Sequence, residues 1–262
     1  MRSGDGRRYE LLRIGLADGS ETTVYVVVHP RSATRVRVTF LEEAQRLDHW
    51  CAANGRSEAI VAGFFVRDPW RPLGEVWIDG RSVAHEPIAA PFGPARSCVH
   101  IEPSGKVTLA PRREIAGAPA GDLVQAGPML VAGGRVVVDD DDREGFSAGA
   151  EQFDSDITAA RHPRCALGLN EGELFAVGCD GRRTGVDAGL DLAELARLLV
   201  SLGATDAINL DGGGSATLIH RGHLLNRPYS SVDQPGPESR PVVTALLFDP
   251  TPMRLSAAST GS

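Results

Sequence analysis

The four cysteines, Cys51, Cys98, Cys165 and Cys179, never meet at C-x-x-C spacing. That speaks against a zinc site and a dense disulfide framework, and the expectation is buried free thiols. Long apolar runs are also missing, and none approaches the ~20 residues of a membrane helix. The opening "MRSGDGRRYELLRIGL" has basic residues without a continuous apolar segment. A cytoplasmic protein with no membrane partner is therefore expected, with secretion the alternative if a leader has been removed. Positive charge is in deficit, and the formal net charge of −7 repels polyanions, which speaks against nucleic acid as a partner. An anionic substrate would need a local basic pocket.

The remaining composition is ordinary. With 262 residues, 42% apolar and 23% charged, the chain can bury a core without staples. "TTVYVVVHP" and "TRVRVTF" read as strands, and "LEEAQRLDHWCAANG" reads as a helix closed by Gly55, because Leu41, Ala44, Leu47 and Cys51 recur at helical spacing. "AIVAGFFV" reads as a buried strand. "GEVWIDGRSV", turning at Asp79-Gly80, "SCVHIEPSGKVTLAP" and "CALGLNEGELFAVGCDGRR" read as hairpins. The clearest helix is "DLAELARLLVSLG", with Leu192, Leu195, Leu199 and Leu202 in one stripe, Asp191 and Glu194 as a capping pair and Gly203 as its end. Many strands, few helices and several hairpins predict an α+β fold, a mixed, largely antiparallel sheet with flanking helices in a single domain.

One stretch demands more than a fold. In "AINLDGGGSATLIHRG" a strand delivers Asp211 to Gly212, Gly213 and Gly214. It matches neither a P-loop nor a dinucleotide fingerprint. It offers a strand-end carboxylate beside backbone free to approach a ligand, or equally a glycine-rich turn.

The order "QAGPMLVAGG", "RHPRCALGL", "CDGRR", "DLAELARLLVSLGATDAINLDGGGS" and "ESRPVVTALLF" resembles the phosphodiester glycosidase family from about Ala59 to Phe248, most closely from Arg161 to Ala245. The resemblance implies residues 57–250 as a catalytic domain, 1–56 as strands and helix integrated with it, and 251–262 as a flexible tail. It also implies hydrolysis of the glycosidic C–O bond of a sugar-1-phosphodiester of N-acetylglucosamine type. The chain departs from the family pattern at Val61, where Asn is usual, in "GSAT" for Gly-Ser-Ser-Thr, and in "ESRP", where Ser239 is inserted.

Such a cleavage passes through an oxocarbenium-like state that a carboxylate stabilises. Asp211 and Asp180, both at strand ends beside glycines, are the catalytic candidates, with Glu238 as a third. The leaving phosphate monoester, with a second pKa near 6, needs charge stabilisation more than protonation. Arg164, Arg182 and Arg240, with Arg227 nearby, are candidate phosphate ligands. Asn209, Ser215, Thr217 and Asn226 are candidates for sugar hydroxyls or for plain turn hydrogen bonds.

His162 is a candidate acid or base with an exposed loop residue as the default, Glu194 reads as a helix cap, and Gln125 reads equally as a site-edge or a turn residue. "GFF" with Trp70 and Trp77 is either core or an aromatic sugar platform. "DDDREGFSAGAE" puts Asp140, Asp142, Glu144 and Glu151 at calcium-loop spacing, though the preceding "GRVVVD" is β-like and a solvated acidic loop is the default. No cofactor is required, with calcium or magnesium on that loop or on Asp180 and Asp211 as the open alternative. The rival functions are a metal-dependent phosphoesterase and a non-catalytic glycan-binding module.

Overall fold

The computed structural model describes residues 6–138, 141–147, 152, 158–228 and 239–251. Strands are numbered in chain order. The largest sheet runs β1 (Arg8–Gly15), β2 (Glu21–Pro30), β15 (Glu173–Cys179), β14 (Arg164–Leu169), β16 (Asp206–Asn209), β12 (Met129–Ala132) and β13 (Arg135–Val136). A second sheet runs β10 (Val107–Pro111), β9 (Ser97–Ile101), β11 (Asp122–Gln125), β7 (Val76–Ile78) and β8 (Arg81–Ser82). A third runs β18 (His223–Leu224), β17 (Leu218–His220), β4 (Glu58–Val61), β19 (Val242–Pro250) and β3 (Thr34–Gln45). The hairpin β5 (Phe65–Arg67) and β6 (Trp70–Pro72) stands apart. Every ladder between named strands is antiparallel. Among the described residues, two α-helices accompany them, α1 (Leu47–Ala53) and α2 (Leu192–Ser201).

The large sheet is buried on both faces, which explains why β2 reads as a nearly continuous valine run. Val24, Val26 and Val28 pack with Phe175, Val177 and the α2 residues Leu195, Ala196 and Leu199. Val27, Leu167, Ala176 and Ile208 face the core shared with the other sheets. Helix α2 starts as its sequence predicts, because the Asp191 side chain accepts from the Glu194 amide at 2.7 Å and the Glu194 carboxylate accepts from the Asp191 amide at 3.0 Å. Such a cap stabilises a helix by about 1 kcal/mol.

The three expected hairpins form, and Asp79 and Gly80 adopt the positive φ of a tight turn. Two expectations are corrected. "LEEAQ" is strand rather than helix, because Phe40 to Gln45 continue the ladder with β19, so sheet pairing overrides helical spacing and α1 starts only at Leu47. "AIVAGFFV" is not one strand, since the ladder with β17 and β19 ends at Val61 and β5 begins at Phe65. Of the expected tail, 251–262, residues 252–262 lie outside the described residues.

Candidate active site

Strands β15, β14 and β16 are neighbours, so their ends bring Asp180 and Asp211 to the same edge of the sheet with the lead-in to β14 between them. At two strand spacings of about 4.8 Å each, the two chains run roughly 10 Å apart. Glycine makes the convergence possible. A β-carbon on Gly181 would lie 2.6 Å from the Pro163 nitrogen, and one on Gly212 2.8 Å from the Pro163 oxygen. Each buried aspartate is thus followed by a residue that must lack a side chain.

Asp211 is 6% exposed. Its amide donates to the Ala62 carbonyl at 2.9 Å, which ties it to the chain between β4 and β5. Burial pushes its carboxyl up to about 6, against the opposing pull of the Gly212 amide, a hydrogen bond from Ser215 and the charges of Arg240 and Arg67. The Gly212 amide donates to Oδ1 at 2.8 Å. Asp180 is 1% exposed. Its Oδ1 accepts from the Arg227 amide at 2.6 Å and its Oδ2 from the Tyr25 hydroxyl at 3.1 Å. Burial pushes it up to about 6 as well, reinforced by the charge of Asp187 and opposed by Arg227 and Tyr25.

The glycine run is used differently from a phosphate cradle. Gly212 donates to Asp211, Gly213 to the Pro163 carbonyl at 2.8 Å and Ser215 to the Gly212 carbonyl at 3.1 Å, so the amides of two glycines and of the serine after them are engaged inside the protein. Gly213 adopts φ +59°, and the Gly214 carbonyl accepts from the Arg240 amide at 2.8 Å. Asp211, the glycines, Ser215 and Arg240 therefore form one cluster. The charge of Arg67, a residue that sequence reasoning missed, also acts on the Asp211 carboxyl.

The other predicted residues lie elsewhere or serve the frame. Arg164 is buried, donating to the Leu190 and Ala160 carbonyls at 3.1 Å. It lines a cavity of about 580 Å³ with Met129, Glu144 and Asp191. Arg182 lines a separate cavity of about 940 Å³ with Arg161 and His162. Neither cavity is lined by Asp180 or Asp211. The Thr217 hydroxyl donates to the Ser215 carbonyl, and Asn226 joins the Ala216 carbonyl to the Leu218 amide. Asn209 donates to the Gly127 carbonyl at 3.0 Å, while its buried Oδ1 has no partner among the described residues.

His162 is buried rather than exposed, because its Nε2 meets the Ala159 carbonyl at 2.6 Å. In the expected acidic loop, Asp142 accepts from the Phe146 and Ser147 amides, and Glu144 from the Ser97 and Met129 amides and the Ser97 hydroxyl. Those carboxylates face protein donors rather than a common centre. Among the described residues no cluster of three or more His, Cys, Asp or Glu side chains is placed to hold a metal. Glu238, Asp140 and Glu151 lie outside the described residues.

All four cysteines are free and buried. Among the described residues no helix is long and apolar enough to cross a membrane.

Comparison with known proteins identifies the family. Residues 54–249 match the model of the phosphodiester glycosidase family. Human N-acetylglucosamine-1-phosphodiester alpha-N-acetylglucosaminidase is 29% identical over 206 residues, 75% of this chain but 36% of the human one. This chain thus spans about a third of that relative's length. The catalytic domain of the zebrafish enzyme of the same name, auto-inhibited by pro-peptide, superposes with a TM-score of 0.69 at 20% identity, covering 92% of this chain and 82% of that one. A Burkholderia pseudomallei K96243 protein described as exported superposes with a TM-score of 0.59 at 17% identity over 88% of this chain and 74% of its own. At those identities the structural likeness concerns the fold.

The expectation of a cytoplasmic protein is overturned by these relatives, one of them exported. Cysteine usage could not have revealed this, because buried thiols without partners are compatible with oxidising and reducing compartments alike. A family match over most of the chain shows that it belongs to the phosphodiester glycosidase family.

Proposed function

We propose that this protein hydrolyses the glycosidic C–O bond of a sugar-1-phosphodiester of N-acetylglucosamine type, releasing free sugar and a phosphomonoester. Family membership makes it a hydrolase of the glycosidase type. The observation that carries the finer reading is the pair of buried carboxyls, Asp180 and Asp211, both pushed up to about 6 at one edge of the sheet. Groups with pKa values near neutrality can exchange protons and, once ionised, stabilise positive charge at an anomeric carbon. In this reading Asp211, clustered with Arg240, faces the anomeric centre, and Asp180 acts on the attacking water. Arg240 stabilises the departing phosphate, which at its second pKa near 6 leaves with little help from an acid. The substrate is a small molecule, no metal is required, and residues 57–250 form the catalytic part of one α+β domain that the strands of 1–56 complete.

The test is hydrolysis of UDP-N-acetylglucosamine and N-acetylglucosamine-1-phosphodiesters in oxygen-18 water, with and without EDTA. Label in the sugar, unaffected by EDTA, is the expected result. Label in phosphate, lost with EDTA, would make the protein a metal-dependent phosphoesterase. Saturable binding without product would make it a glycan-binding module.

A further inference from the structure

We propose that the hairpin Phe65–Pro72 is the aglycone subsite, with Arg67 holding the phosphate and the exposed indole of Trp70 stacking on a ring of the leaving group. The inference rests on the glycosidase reading above and names the part of the substrate that reading leaves open. In the hairpin, Arg67 stands opposite Trp70 and Phe65 opposite Pro72. Strand alternation therefore puts Phe65, Arg67, Trp70 and Pro72 on one face, with Val66 and Arg71 on the other.

Exposure rises along that face, from 5% at Phe65 to 39% at Trp70. The indole lies on the Phe65 ring with centroids 5.2 Å apart and planes 25° from parallel. An exposed aromatic held by a buried one is a rigid platform, so little side-chain freedom is lost when a ligand stacks on it. The buried end of the hairpin adjoins the reaction centre. Ala62, three residues before Phe65, accepts the Asp211 amide, and the charge of Arg67 acts on the Asp211 carboxyl. Strand β6 also packs on β19, whose lead-in carries Arg240.

A sugar-1-phosphodiester is sugar, phosphate and aglycone in sequence. The protein offers Asp211, the cations Arg67 and Arg240 whose charges both act on it, and Trp70 opposite Arg67 in the hairpin. A planar guanidinium suits the phosphate oxygens, and an indole face suits a flat ring, whether a nucleobase or the C–H face of a pyranose. Substrates of both kinds separate the two sources.

Steady-state kinetics would compare N-acetylglucosamine-1-phosphate esterified to methanol, esterified to a hexose, and UDP-N-acetylglucosamine. Trp70→Ala is expected to raise KM about tenfold for at least one ring-bearing substrate while leaving KM for the methyl diester and every kcat within about twofold, and Trp70→Phe to restore most of the loss. Arg67→Gln is expected to raise KM for all three. Equal effects of Trp70→Ala on methyl and ring-bearing diesters, or none on either, would overturn the subsite. Calorimetric titration with UDP and with hexose 6-phosphate separates this inference from the glycosidase reading. Weaker binding of either by Trp70→Ala upholds the subsite even in a protein that turns nothing over, whereas unchanged or undetectable binding of both removes it.

Discussion

Gly212 lies so close to Pro163 that a β-carbon added to it would stand 2.8 Å from the Pro163 carbonyl oxygen. Backbone cannot yield as a side chain can, so Gly212→Ala is expected to cost about 1–3 kcal/mol of stability. Gly181→Ala, facing the Pro163 nitrogen at 2.6 Å and the Gly189 Cα at 2.9 Å, is expected to cost at least as much. Gly172→Ala, with nothing within 4 Å, is the control and should be near neutral. Urea unfolding of the three variants checks this.

Replacing Asp211 by Asn keeps an oxygen to accept the Gly212 amide and removes the charge. Turnover should fall by roughly 10²-fold or more with the fold intact. Asp180→Asn should behave alike. Single-turnover rates with circular dichroism on each variant test the pair, and near-full activity in either removes that residue from the mechanism.

Those substitutions should also stabilise the protein, in one direction of pH. A carboxyl near pH 6 when folded and about 4 when unfolded binds its proton more tightly in the folded state. Between pH 4 and 6 the folded state therefore holds more protons, and stability falls as pH rises through that window. Asp211→Asn and Asp180→Asn should each gain on the order of 1–3 kcal/mol over the parent at pH 7–8. The gain should vanish below pH 4. Denaturant titrations at pH 3.5, 5 and 7.5 read it directly.

The thiols should be silent until the protein unfolds. Burial pushes Cys51 and Cys179 up to about 12 and raises Cys98 and Cys165 as well. A thiol reagent such as Ellman's should label none of the four in the native protein at pH 8 and all four in guanidinium. Rapid native labelling at any one of them would contradict its burial.

Local signals were the legible ones. The capping pair Asp191 and Glu194, the valine run of β2 and the Asp79-Gly80 turn each announce themselves within a few residues. "LEEAQ" misled because its partner, β19, lies some two hundred residues downstream, and only that ladder makes it a strand. The strand-end aspartates could be picked out beside their glycines. What those glycines press against could not, because Pro163 is remote in sequence from Gly212. Arg67 went unnoticed for the same reason, since nothing in "FFVRDPWRP" signals that the loop leaving Ala62 is tied to Asp211. His162 was misplaced because burial of a loop is set by what packs over it.

The seven-stranded sheet also fixes when the protein can be finished. Strand β2 has one edge on β1 and the other on β15, so Val24 to Val28 stay half-paired until residues 173–179 have been synthesised. Strands β3 and β4 wait longer still, because the strand that lies between them is β19. Through most of synthesis the nascent chain therefore carries open, valine-rich strand edges of the kind that aggregate. A ribosome stalled before residue 242 would hold a chain that lacks the strand closing its third sheet, and the slow, long-range pairing that follows release sets the pace of folding.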